Sequence, residues 1–405
     1  MLSVSRSPRF TTLLFGALFI YFVAVLFSLP SLFFMAAALV IAPAVSYLLA
    51  ALGLREIRGE RRIPSRLWPD EKVEVEIRLE NRALLPKCLL RIDEDLPDGL
   101  GGDEASPPGC VVPMLWGDLT TCGYPLIARY RGRYRLAPLV ATAVDTFDLF
   151  RARRQIGPSN EIVVYPRRVP LSIHALHAPT LDGMIRRSRP VASGVDFRGT
   201  REYQPGDDLR RIHWRSTARR GRPIVVEFEE PATTDLFIVL DVSPTAAQGE
   251  GRENTFETAV TVAASVIEYE LEHGNAVGLY LDGPEPTHLA LTRERHELLR
   301  FLEALALVEA DAPRPLAETI ARAGELVPHT AVVFLVSTDA SAATAAAVTE
   351  LTRQHAVAYG WIDPWGHPGA PESDAAGFLA RLKSAGVAVF AIRRDDIAAG
   401  LTQPW

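Results

Sequence analysis

TTLLFGALFIYFVAVLFSLPSLFFMAAALVIAPAVSYLLAALGL, from Thr11 to Leu54, contains no charged side chain, and the first acidic residue of the chain is Glu56. As one helix at about 1.5 Å per residue the run would reach roughly 66 Å, about twice the ~30 Å hydrocarbon core of a bilayer. Two crossings fit where one does not. The break falls at Ser28-Leu29-Pro30-Ser31, where Pro30 can open a second helix without losing an internal bond and the serines can cap its free amides. The sequence predicts a transmembrane α-hairpin of Thr11 to Phe27 and Ser31 to Leu52, inside a membrane domain of residues 1–55.

The flanks are basic: Arg6 and Arg9 on one side, Arg55, Arg58, Arg61, Arg62 and Arg66 on the other, with no charge in the connection. The positive-inside rule then places both ends, and everything after residue 55, in the cytoplasm of a cell whose inner membrane holds the hairpin. A cleaved leader fits poorly, because the apolar stretch far exceeds a signal h-region and ends in arginines that resist translocation. Cys88, Cys110 and Cys122 form no close pair and no metal spacing and read as ordinary thiols, which suits a reducing compartment.

The formal charge of −6 is unevenly placed: residues 1–66 carry +5, so the remainder carries −11. Only three basic residues are lysines (Lys72, Lys87, Lys383), and no broad basic surface for nucleic acid emerges. With roughly 350 residues outside the membrane there is room for two soluble domains. In Glu71 to Glu80, Val73, Val75, Ile77 and Leu79 alternate with charged residues, the signature of a strand with one buried face. Similar runs at Cys88 to Ile92, Pro125 to Tyr130, Tyr134 to Val144 and Glu161 to Tyr165 predict a small immunoglobulin-like β-sandwich over residues 56–166.

From residue 224 apolar strands alternate with amphipathic helices, which predicts a doubly wound α/β domain over 224–405. Its expected strands are Ile224 to Phe228, Leu236 to Leu240, Ala276 to Leu281, Ala331 to Val336, Ala356 to Trp361 and Val387 to Ile392. Ligands in such folds sit at the carboxyl ends of strands, and there Asp241, Ser243 and Thr245 could offer hard oxygens to Mg²⁺. Asp241 could equally cap the turn that follows.

Between the two soluble domains, residues 167–223 form an arginine-rich segment; 167–222 hold thirteen Arg, no Lys and five carboxylates. Asp207 or Asp208 can cap a helix starting near Leu209, on which Arg211, Arg215 and Arg219 would share one face. Such a row suits carboxylates or phosphates of a partner. Glu202, Asp207, Asp208, Glu227, Glu229 and Glu230 could instead neutralise it as an internal clasp.

Gly194, Phe197, Arg201, Tyr203, Pro205, Gly206, Asp207, Arg210, Ile212, His213, Trp214, Ala218 and Arg219 together resemble the signature of the domain-of-unknown-function 58 family. That resemblance implies a membrane hairpin, a β domain, the signature, and a C-terminal domain similar to the von Willebrand factor type A fold. It also implies protein partners, a MoxR-type AAA+ ATPase and other envelope proteins among them, with Arg201, Tyr203, Asp207, Arg210, Arg211, Trp214, Arg215 and Arg219 as the partner-binding or interdomain residues. Type A domains build a metal site from Asp-x-Ser-x-Ser, a second-loop Thr and a third-loop Asp. Here Asp241, Ser243 and Thr245 match the first loop and Asp339 the third, but Pro313-Arg314-Pro315 replaces the threonine, so the metal site is expected to be degenerate and weak.

The leading expectation is a non-enzymatic, membrane-anchored interaction or assembly factor with no cofactor beyond weakly held Mg²⁺. A metal-dependent enzyme or hydrolase using the Asp241 loop is the alternative, although no Gly-x-Ser-x-Gly, His-Glu-x-x-His or Gly-Lys motif occurs. A structural envelope protein is the third reading. Topology is directly testable: reporters fused at either end should give the cytoplasmic signal and one inserted at Ser28 to Ser31 the exported signal. An exported C-terminus would reverse the assignment.

Overall fold

A computed structural model describes residues 3–83, 87–102, 108–115, 119–144, 148–171, 196–204, 212–229, 235–370 and 375–402. It divides into two compact units, Met1–Pro166 and Arg167–Trp405.

The first unit opens with strand β1 (Ser3–Arg6) and two helices, α1 (Pro8–Phe27) and α2 (Pro30–Gly53), both long and apolar enough to cross a membrane. Pro30 opens α2 as expected, but the serines act differently. Ser28 closes α1 in the left-handed conformation, and the residue before α2 is Leu29, which makes no side-chain cap. Small residues face inward: Ala17, Ala24, Ala36, Ser46 and Ala50 are buried, while Phe15 and Phe34 are 72 % and 77 % exposed. This is the reverse of a water-soluble helix pair, and small residues are what let membrane helices approach closely.

The strands that follow are β2 (Ile57–Arg62), β3 (Arg66–Leu67), β4 (Lys72–Asn81), β5 (Lys87–Asp93), β6 (Leu100–Gly102), β7 (Gly109–Leu115), β8 (Leu119–Ala128), β9 (Gly132–Leu136), β10 (Leu139–Val144), β11 (Phe150–Ile156) and β12 (Asn160–Val164). They form sheets ordered β1-β11-β10-β5-β7, β2-β4-β8-β6 and β3-β12-β9. One core joins them, with Ile77 and Leu79 from β4, Leu90 and Ile92 from β5, and Ile162 and Val164 from β12. The run Tyr134 to Val144 is two strands rather than one, since Pro138 has no amide for a ladder. Strand β1, upstream of the hairpin, pairs with β11, so the β unit draws on both sides of the apolar run. The helix end is tied to the β unit as well, because Arg154 Nη1 donates to the Leu54 carbonyl at 2.9 Å, satisfying a terminal group that has no helical partner.

The cysteine expectation is corrected. Cys110 of β7 and Cys122 of β8 form a disulfide with a Cα separation of 6.2 Å, joining the five-stranded sheet to the four-stranded one. Sequence spacing could not reveal this, because the pair meets only after the strands are assigned to different sheets. A disulfide belongs to an oxidising compartment, so the cysteines no longer support a cytoplasmic placement.

A polar group lies inside the β unit. Arg61 is 3 % exposed and its Nη2 lies 2.7 Å from Glu94 Oε1; Nη1 also donates to Asn160 Oδ1 at 3.0 Å and Nη2 to the Ala137 carbonyl at 2.7 Å. The Tyr124 hydroxyl donates to the same carboxylate. Burial pushes the Glu94 carboxyl up, opposed by the Tyr124 hydrogen bond and the Arg61 charge.

The second unit contains a two-stranded antiparallel pair, β13 (Asp196–Glu202) and β14 (Ile224–Glu229), and a short helix α3 (Trp214–Arg220). Its main sheet is formed by β15 (Leu236–Leu240), β18 (Val277–Leu281), β19 (Thr287–Thr292), β20 (Val332–Ser337), β21 (Val357–Ile362) and β22 (Ala388–Ile392), with β16 (Gly249–Glu250) and β17 (Glu253–Asn254) making a small separate hairpin. The order is β19-β18-β15-β20-β21-β22, parallel except for the edge strand β19. Two expectations change here. Ile224 to Phe228 is not part of this sheet, because its partner is the signature strand β13; and Thr287–Thr292 is an additional edge strand.

The helices are α4 (Thr255–Glu272), α5 (Leu298–Leu307), α6 (Leu316–Leu326), α7 (Ala342–Leu351), α8 (Ala376–Ser384) and α9 (Ile397–Thr402). Phe237, Val239, Val333, Leu335, Tyr359 and Trp361 share a core with α6, α7 and α8. β15 lies between β18 and β20, so the chain reverses its winding direction there, which marks the ligand crevice of an open α/β sheet.

The buried ion pair yields a stability prediction. Arg61→Ala should cost about 3–5 kcal/mol, since it strands a buried carboxylate, whereas Arg61→Met with Glu94→Leu should recover most of the loss. Thermal unfolding of the detergent-solubilised chain measures both, and an unchanged single variant would refute the assignment.

Candidate functional site

Three neighbouring strands end in polar residues along one edge of the main sheet. Leu240 pairs with Leu281 and with Val336, so Asp241, Asp282 and Ser337 stand side by side at the carboxyl ends of β15, β18 and β20. Asp241 is 2 % exposed. Its Oδ1 accepts from the Ser243 amide at 2.9 Å and its Oδ2 from the Ser337 hydroxyl at 2.6 Å. The Ser243 hydroxyl lies 2.9 Å from that of Thr245, which is exposed. The first-loop residues are therefore brought together. Burial pushes the Asp241 carboxyl up, and the nearby Asp339 charge adds to this, against the hydrogen bonds from Ser337 and Ser243.

Asp339 is placed differently from the other three. Its Oδ1 accepts from the Ser341 amide at 2.8 Å, and its Oδ2 from the Ser341 and Thr344 hydroxyls, so the carboxylate organises the start of α7. It connects to Asp241 through Ser337, whose oxygen accepts from the Asp339 amide at 2.8 Å while its hydroxyl donates to Asp241. Among the described residues no three His, Cys, Asp or Glu side chains are grouped to hold a metal. Any cation here would depend on Asp241 and hydroxyls.

Asp282 resolves its burial by another route. Fully buried, it accepts from the Tyr280 hydroxyl at 3.0 Å and from Thr319 at 3.1 Å, and pairs with Arg314 at 3.1 Å and Arg322 at 3.8 Å. Arg314 is thus held by the neighbouring strand end. Adjacent buried carboxylates are compensated in opposite ways, Asp282 by two guanidinium cations and Asp241 by neutral donors alone. Asp282 was readable in the sequence, since it follows its apolar strand as directly as Asp241 follows its own.

The signature residues are described in part. Arg201 lies in β13, and the Tyr203 amide donates to the Pro223 carbonyl at 2.9 Å. Asp207, Arg210 and Arg211 lie outside the described residues. Helix α3 begins at Trp214, with Ile212 bridged to Val225 in extended form and the His213 ring accepting the Ser216 amide as the N-cap; the expected start near Leu209 lies outside the described residues. Of the expected arginine row, Arg215 and Arg219 share α3, one turn apart and both exposed beside Trp214, which is 70 % exposed, while Arg211 lies outside the described residues. Glu202 pairs with Arg222 at 3.1 Å, and among the described residues neither Arg215 nor Arg219 has a carboxylate partner. Trp214 gained significance only through its exposure, which its apolar character does not announce.

Residues 199–363 match the model of the family described as Protein of unknown function DUF58. The chain is 27 % identical over 281 residues to Uncharacterized protein YeaD of Bacillus subtilis, covering 66 % of this chain and 67 % of that protein. It is 30 % identical over 125 residues to Uncharacterized protein Rv1480 of Mycobacterium tuberculosis, covering 30 % of this chain and only 39 % of that one. Among solved structures, trypsin-activated alpha-2-macroglobulin from Escherichia coli matches at 12 % identity, 82 % of this chain, 21 % of that chain and a TM-score of 0.23, too low to bear on the fold. The stretch from the signature strand β13 through β21 is thus the part of the chain that carries the DUF58 match.

Proposed function

We propose that this protein is a membrane-anchored interaction or assembly factor whose second unit engages protein partners without catalysing a reaction. The observation that carries the reading is α3, where an exposed tryptophan stands beside two exposed arginines with no internal carboxylate partner among the described residues. Trp and Arg are the residues that most often dominate protein interfaces. The hairpin, with large apolar side chains outward and small ones inward, supports the anchor. The resemblance of the signature supports a MoxR-type AAA+ ATPase and envelope proteins as partners. The order of the main sheet, its antiparallel edge strand and the Asp241-Val242-Ser243-Pro244-Thr245 loop support a von Willebrand factor type A-like domain.

Arginine flanks favour a cytoplasmic second unit. The Cys110–Cys122 disulfide favours a second reading, in which the β unit faces an oxidising compartment. Thiol trapping in intact cells, read with the reporter fusions, separates the two.

Reversing Arg215 and Arg219 to Glu should abolish capture of a MoxR-type ATPase from the same cell while moving the thermal transition little, because exposed charges contribute about 0–1 kcal/mol. A large loss of stability would instead indicate an internal clasp.

The Asp241 loop predicts a pH-dependent effect. A carboxyl whose folded pKa is raised stabilises fully below its unfolded value and loses that contribution as pH rises through the folded value. Asp241→Asn should therefore raise the melting temperature at neutral pH and lose its advantage near pH of about 4, the ordinary Asp pKa. Millimolar Mg²⁺ or Mn²⁺ should barely stabilise the wild type, since octahedral coordination lacks enough ligands. A marked metal-dependent rise, absent in Asp241→Asn, would overturn this and favour metal-dependent partner binding.

A further inference from the structure

Where the helical hairpin meets the β unit there is a cavity of about 690 Å³, lined by Val4, Arg6, Phe10, Pro43, Tyr47 and Phe150 among others. We propose that it binds the phosphate-bearing headgroup and adjoining acyl segment of an anionic membrane phospholipid. The proposal rests on the membrane reading of the hairpin and adds a specific ligand to it.

The cavity's depth suits that ligand. Phe10 lies in the first turn of α1 and Tyr47 six residues before the end of α2, about 9 Å along the helix, so the lining occupies the layer between hydrocarbon and water. Its walls are aromatic: Phe150 lies 5.3 Å from Phe10 and 5.5 Å from Tyr47 between ring centroids, and Tyr47 is 51 % exposed. Aromatic rings with a polar tip are the side chains that settle at this layer. The volume falls in the range of small-molecule sites, too small for a folded partner.

Charge points the same way. Arg9 is engaged by Asp148 at 2.8 Å, and Arg151 by the same carboxylate at 3.1 Å. Arg6 instead lies over the Phe10 ring at 5.3 Å and has no carboxylate partner among the described residues. A guanidinium lining a mixed polar and aromatic cavity at headgroup depth is suited to a bidentate phosphate contact. The amino end of the 20-residue α1 begins two residues further on and adds a favourable potential for an anion. A neutral or zwitterionic lipid filling the same space would not draw on Arg6 to the same degree.

The test uses the full chain in mild detergent, mixed with phosphatidylglycerol or phosphatidylcholine and examined by native mass spectrometry. One phosphatidylglycerol should remain bound under activation that strips phosphatidylcholine, and Arg6→Gln should weaken its retention about tenfold, the scale of one charge-assisted contact. Arg6→Lys should restore part of it, which a merely unfolded variant would not. Equal retention of the two lipids, or retention unaffected by Arg6→Gln, would overturn the proposal. Alkaline carbonate extraction of native membranes tests the anchor separately: release of the chain would defeat the membrane reading, whereas firm insertion with no lipid preference would defeat this site alone.

Discussion

An apolar run without a single charge from Thr11 to Leu54 must be kept from water, and the rest of the first unit is arranged around that constraint. The hairpin buries its small residues between the helices and turns its large ones outward, so the protein itself does not shield them. The β unit holds the hairpin from both ends. Strand β1 adds to the edge of a sheet, and Arg154 holds the Leu54 carbonyl at the end of α2. The hairpin is therefore an insertion into a sheet edge, more firmly placed than a flexible leader would be. Ala50 and Leu54 extend the same core into the helix end.

Within the soluble parts, the decisive contrast is how buried charge is compensated. Arg61 and Glu94 neutralise one another across the β unit, with Tyr124 and Asn160 completing the group. Asp282 is matched by Arg314 and Arg322. Asp241 receives only hydroxyl and amide donors, which leaves its ionised form less favourable. A buried carboxylate is tolerated when opposite charge is at hand and becomes a point of adjustment when it is not.

The α/β strands were legible because each is a short apolar run followed by a polar residue or turn. Leu236 to Leu240 and Ala356 to Trp361 show this directly. The β unit was legible where alternation was clean, as in Lys72–Asn81, and obscure where it was not. Phe150–Ile156 carries three arginines and still forms a sheet strand, since its outward positions are solvated. Ile224–Glu229 reads like a core strand, yet pairs with the signature segment, because apolar content does not specify which edge a strand joins. The N-cap of α3 was obscure too, since His213 is not an ordinary capping residue and its role follows from the backbone bridge at Ile212.

By itself the sequence determined what depends on neighbours along the chain: the hairpin, its break at Pro30, the alternation of strands and helices, and the Asp241-x-Ser243-x-Thr245 loop. Only the tertiary structure decided what depends on distant residues meeting. It brought Cys110 to Cys122 across two sheets, Arg61 to Glu94, Arg314 to Asp282, and Ser337 to Asp241. Local patterns follow from backbone periodicity, which repeats every two or 3.6 residues. Strand order follows from the packing of whole faces, a quantity no short window of sequence contains.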